Sequence, residues 1–314
     1  MVEAEAGKAA GVQNHNPATL YVDDDYCATC GNDGHTWGAT AFATIQSALD
    51  AAASGDTLLV GPGSYASAVV HGGKDYVTIQ GVNPDAVFID ANGGIGIQVF
   101  PPTDQTSSVP GILGVTIQGL TIRNAQTGVQ VNFGGTPGAT DLNAQIISIR
   151  QVVFSLDRSL SIGVDSRTSN VDIDHNTFVT NASGVVGVKH SSAVTQGIFI
   201  RNNLFAALPN AAPLPAVWED AGVGTVADIN HNGYASANAA AADWLAPPPG
   251  AAATAMTLTQ AAFYSAPQGV FRLAPGEPRR RILVVDDIPE NREILVEMLR
   301  RVGFEVRTAA DGVG

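Results

Sequence analysis

Asp172, Asp174, His175 and Arg201, followed by Asp228 and His231, are the residues of this chain whose types and spacing best suit chemistry. Asp172 and Asp174 alternate with apolar Val171 and Ile173, so an extended backbone puts both carboxylates on one face. Arg201 stands in the next similar phrase, and Asp228 and His231 in the one after. A row of Asp, Arg and Asp could hold Ca²⁺ and an acidic sugar, with a base to abstract a proton. A solvated face is the simpler account. Strand exteriors are polar, and Asn176, Asn203 and Asn232 recur here because corner turns favour Asn.

Three smaller groups also carry ligand-type side chains. Asp23, Asp24 and Asp25 offer oxygen to Ca²⁺ but lack a calcium-loop glycine pattern, so exposed carboxylates are expected. Cys27 and Cys30 supply only two soft ligands where a zinc site takes about four, although Asp33 and His35 lie close in sequence. A local disulfide or free thiols, a metal site and redox chemistry all stay open, and a disulfide would fit an exported protein. Asp286 and Asp287 follow the apolar run Ile282–Val285, at the strand end where open α/β sheets place their sites. Lys189-His190 is expected to be exposed at a strand end.

The elements that position these groups form a repeat. Val115–Ile122, Ile147–Phe154, Val171–Phe178, Ile198–Phe205 and Ala227–Tyr234 share one pattern: alternating apolar residues, a polar corner, then apolar or aromatic residues. Their second apolar positions, Ile117, Ile149, Ile173, Ile200 and Ile229, are spaced by 32, 24, 27 and 29 residues. A period of this size marks a solenoid. Gly128–Val131, Ile162–Asp165 and Val185–Val188 add further short strands, giving two or three per period. The prediction is an all-β parallel β-helix, right-handed, with apolar ladders inside and strands about 4.8 Å apart. Phe42, Ile45, Leu49 and Ala52 fall at helical spacing, which predicts a capping helix over Ala41–Ala53 ahead of a first turn at Thr57–Val60. Residues 235–255 read as an irregular loop and 258–273 as a final turn.

Charge divides the chain. Residues 1–278 hold 9 Lys+Arg against 22 Asp+Glu, whereas 279–314 hold 7 of each. The acidity of the large part argues against nucleic acid as a partner. No run of about 18 apolar residues predicts a membrane span. The first residues, with Glu3 and Glu5 and no apolar core, do not read as a signal peptide. The expected organisation is 1–19 extended or disordered, 20–276 β-helix, 277–281 junction and 282–314 a partial α/β unit of strand, helix and strand.

Two resemblances sharpen this. Tyr21–Asp25, Phe42–Ala52, Gly55–Thr57, Val60–Tyr65 and the closing Phe271–Gly276 resemble right-handed β-helix proteins of the pectin-lyase-like fold, over about residues 20–276. Ile173–Asn176 resembles a short phrase of pectate lyases, but the longer catalytic phrases of lyases, polygalacturonases and pectin methylesterases are absent. Residues 282–314 are similar to the opening of a response-regulator receiver domain. By that resemblance Asp286 and Asp287 are the acidic pair that helps bind Mg²⁺, weakly here, while the phosphoacceptor and its partners are not in the chain, so no phosphotransfer is expected. Of three readings, the favoured one is a non-catalytic surface or carbohydrate-associated module carrying a receiver fragment. It requires no cofactor, with Ca²⁺ on the β-helix left open, and its partner is a polysaccharide or cell-surface glycan. The alternatives are a polysaccharide lyase or glycoside hydrolase, and a phosphorelay protein that meets a histidine kinase if the gene completes the receiver. The resemblances place the β-helix outside the cell or on its surface, and the receiver in the cytoplasm.

Overall fold

A computed structural model describes residues 16–104, 111–132, 144–168, 170–190, 198–208, 210–219, 227–236, 256–259, 264–265, 271–272, 281–285 and 305–310, with single positions 289, 292, 293 and 296. Most of the strands join three long sheets whose pairings are all parallel. The first face runs from Ala41–Phe42 and Thr19–Val22 through Thr57–Val60, Thr78–Gly81, Thr116–Gln118, Ile147–Arg150, Val171–Asp174 and Ile198–Arg201 to Ala227–Asn230. The second runs from Gly63–Ala66 to Met256–Thr259, and the third from Ala68–Val70 to Val217–Glu219. Successive turns each give one strand to each face, the topology of a β-helix-like solenoid. Among the described residues, no helix is long and apolar enough to cross a membrane.

The register follows the repeat. Ile117, Ile149, Ile173, Ile200 and Ile229 stand opposite one another on adjacent strands. The same column continues backwards through Ile79 and Leu58 to Leu20, so three rungs precede the first one visible as a sequence repeat. Alternation turns these residues inward, and Leu20 to Ile200 are buried. On the second face Phe154, Phe178, Phe205 and Tyr234 stack with centroids 4.6, 4.8 and 5.5 Å apart. Each such contact adds about 0.5–1.5 kcal/mol beyond area burial. Opposite them runs a glycine ladder on the third face. A Cβ on Gly128 would lie 2.6 Å from the Phe154 ring, and one on Gly163 or Gly187 equally close to Phe178 or Phe205. Glycine leaves the space that the rings fill.

The recurring asparagines do a different job from the one expected of them. The positive-φ corner positions are His175, Asn202 and His231 (φ 55°, 55° and 52°), each one residue earlier. Asn176, Asn203 and Asn232 are buried and form a hydrogen-bonded ladder. Asn203 Nδ2 donates to Ile173 O and Asn232 Oδ1, while its Oδ1 accepts from Asn176 N and Nδ2. The corner bends the backbone inward, which orphans polar groups that only a buried amide side chain satisfies.

Several boundaries differ from expectation. The helix spans Ile45–Ala51, because Thr44 is extended and its hydroxyl accepts Ser47 N–H, starting the helix there. Ala41–Phe42 is a strand, although Phe42 is buried in the same core as Ile45 and Leu49. Thr19–Val22 is also a strand of the first face, so the sheet begins before Thr57. The expected final turn divides. Met256–Thr259 prolongs the second face, while Tyr264–Ser265 pairs antiparallel with Phe271–Arg272. In the tail Arg281–Val285 pairs in parallel with Glu305–Ala309.

Candidate functional site

The first face brings most of the acidic and basic candidates together. Asp174 pairs in register with Arg201, which pairs in turn with Asn230, and Asp172 pairs with Phe199, which pairs with Asp228. Arg201 Nη2 donates to Asp172 Oδ1 at 2.9 Å, and its guanidinium lies over the Phe199 ring. That hydrogen bond, reinforced by the Asp172, Asp174 and Asp228 charges, outweighs desolvation and raises the Arg201 pKa. His175 Nδ1 lies 2.8 Å from Asp174 Oδ2, and Asn202 donates to Asp174 Oδ1. Asp228 and His231 are exposed and both turn to Asn230, Asp228 Oδ1 accepting from its Nδ2 and His231 Nδ1 meeting its Oδ1. The strongest contacts of this patch are therefore made within it, which is the arrangement of a polar exterior.

Burial pushes the Asp174 pKa up, but the His175 hydrogen bond and charge, Asn202 and Arg201 outweigh it, so the carboxyl is held below its usual value. A depressed folded-state pKa stabilises the fold fully above the usual carboxylate range, and that contribution is lost as pH falls through the depressed value. Asp174→Asn should therefore flatten the acid limb of a pH–stability profile below about pH 4. An acid limb indistinguishable from that of the parent would mean that the Asp174 contacts carry no stability.

The remaining candidates are scattered. Asp23, Asp24 and Asp25 each bring a carboxylate oxygen within 4.8 Å of the others. Asp23 accepts Asp25 N in a local turn and Asp24 accepts Ser64 N from the strand Gly63–Ala66, so two of the three already serve backbone groups. Cys27 and Cys30 are joined as a disulfide. Asp33 instead takes the Tyr26 hydroxyl and His35 stacks on Tyr21, so neither turns to the sulfurs. His190 is buried rather than exposed, with Nδ1 3.2 Å from Ser166 O, because the strand Val186–His190 continues to it and alternation turns it inward. Asp286 and Asp287 lie outside the described residues.

Sequence reasoning missed a row on the third face. Gln98, Gln130, Asp165, Lys189 and Trp218 occupy one outward column, a rung apart. Gln98 Nε2 donates to Gln130 Oε1 at 2.9 Å and Gln130 Nε2 to Asp165 Oδ2 at 3.3 Å. Asp165, 2% exposed, also accepts Arg167 Nε and Nη2 on the same oxygen at 3.0 and 2.8 Å. Above this buried layer lie the half-buried Lys189 and the 38% exposed Trp218. At the foot of the face His71 meets both oxygens of buried Asp104 through Nδ1, at 3.1 and 3.0 Å. A signal was present in the chain: Gly96-Ile97-Gln98, Gly128-Val129-Gln130, Gly163-Val164-Asp165 and Gly187-Val188-Lys189 repeat glycine, aliphatic, polar.

The row, with the Arg167 that Asp165 holds, combines amides, a carboxylate, two cations and an indole along one strip, donors and acceptors in the form a hydroxyl-rich chain would use. Comparison with protein-family models, with curated proteins and with solved structures found no match to this chain.

Proposed function

We propose that the chain is a non-catalytic, carbohydrate-associated module built on a right-handed parallel β-helix, with the Ile45–Ala51 helix capping its first turn. The observation that carries the proposal is the third-face row ending in Trp218. An amphipathic indole can lie against the apolar face of a sugar while the neighbouring amides meet its hydroxyls. The resemblance to secreted β-helix proteins supports a glycan partner and a place outside the cell or on its surface. The parallel pair Arg281–Val285 and Glu305–Ala309 is compatible with a receiver-like strand, helix and strand, and the tail is read as an appended fragment outside the binding function.

Affinity electrophoresis in gels containing dextran, xylan, polygalacturonate or dextran sulfate tests the reading. At least one polymer should retard the protein, and Trp218→Ala should weaken that retention about tenfold, as truncation of a central aromatic contact does. Absence of retardation by all four polymers would sink the proposal.

A further inference from the structure

We propose that Arg167 is the anchor for an anionic group, a carboxylate or a sulfate ester, on the polymer that the third face binds, and that Asp165 is the residue that positions it. The inference rests on the proposed glycan-binding function and adds the chemical class of the ligand. Asp165 is almost fully buried although it belongs to an outward column. One of its oxygens receives both Nε and Nη2 of Arg167 and the Gln130 amide. Two hydrogen bonds from one edge fix the plane of a guanidinium. The opposite edge, carrying Nη1, is then turned away from Asp165, and the Arg167 side chain is 46% exposed. A braced guanidinium with an open edge is a fork for a planar anion, which a flexible ammonium cannot imitate. Lys189 stands one rung beyond Asp165 and adds positive charge beside it. In a chain of net charge −13, two cations around one buried carboxylate select against the general repulsion of an anionic polymer.

Charge and geometry predict opposite results for one substitution. Asp165→Asn removes a negative charge, so simple attraction would tighten binding to an anion. If Asp165 acts by holding Arg167, the same change weakens binding. The whole chain is titrated with polygalacturonate, dextran sulfate, xylan and dextran, and Arg167→Lys and Asp165→Asn are compared after their thermal unfolding has been checked. Retention by polygalacturonate, dextran sulfate or both, with little by xylan and dextran, is expected. Polygalacturonate alone identifies a carboxylate, and dextran sulfate alone a sulfate ester. Arg167→Lys should lose about tenfold despite keeping its charge, and Asp165→Asn should lose a similar factor. Equal binding of neutral and anionic polymers would overturn this inference while leaving the glycan reading intact, as would tighter binding by Asp165→Asn or unchanged binding by Arg167→Lys. Should Asp165→Asn fail to fold, Arg167→Lys alone decides. Failure to bind any polymer would remove both proposals.

Discussion

Gly163→Ala should cost the fold about 3 kcal/mol, measured as a fall in the urea midpoint. The added methyl would lie 2.5 Å from the Gly187 carbonyl oxygen and 2.6 Å from the Phe178 ring. Neither neighbour can retreat. The carbonyl belongs to the next strand of the third face, and the ring is held between Phe154 and Phe205. Gly31→Ala is the control. Its backbone has φ −71° and nothing lies within 4 Å of the new Cβ, so a change within about 0.5 kcal/mol is expected. If both substitutions proved equally mild, the glycine column would not be what makes room for the stacked rings.

Asn203→Ala should be the second severe substitution, at about 3–4 kcal/mol, because buried groups left without partners carry the full cost of desolvation. Asn203 Oδ1 is the acceptor for Asn176 N, and its Nδ2 the donor to Ile173 O. Both backbone groups would be orphaned between two turns. Asn202→Gly provides the contrast: that residue holds the left-handed corner, where glycine is at ease, and only its exposed hydrogen bond to Asp174 is lost, so the cost should be slight. A larger loss at Asn202 than at Asn203 would restore the view that asparagine is there for the corner's backbone. Because the three amides are bonded in series, Asn176→Ala combined with Asn203→Ala should cost less than the sum of the two.

This contrast shows where the sequence could and could not be read. The apolar columns were legible because burial on a strand enforces a period of two, and the same period put Ile117 to Ile229 in register. The expected first turn at Thr57–Val60 supplies the rung at Leu58, whereas the rungs at Leu20 and Ile79 do not stand out as part of the repeat. Between Gly81 and Val87 the corner holds five residues where the later turn from Asp174 to Thr177 holds two, so the phrase is stretched. Asn203 was legible as a recurrence but not as an interior residue, since polarity predicts exposure unless the partners are known. The polar faces were only partly legible for a related reason. Asp172, Asp174, His175 and Arg201 attract notice as ionisable residues, but the structure pairs them with one another. Gln130 and Asp165 attract none, because what distinguishes them is burial on an outward column, a property of the folded chain alone.

The turn-by-turn pairing also bears on how such a chain reaches its fold. Parallel sheets ordinarily form slowly, since distant segments must meet before any contact rewards them. Here each strand's partner is the strand one coil earlier, with separations of 24 to 32 residues along the first face from Ile117 to Ile229. The entropy of closing each coil is therefore met singly, on a template that already exists, and a doubling of coil length adds only about 0.6 kcal/mol. Assembly can proceed in the order of synthesis, coil upon coil, and a lengthened corner such as that between Gly81 and Val87 slows it little.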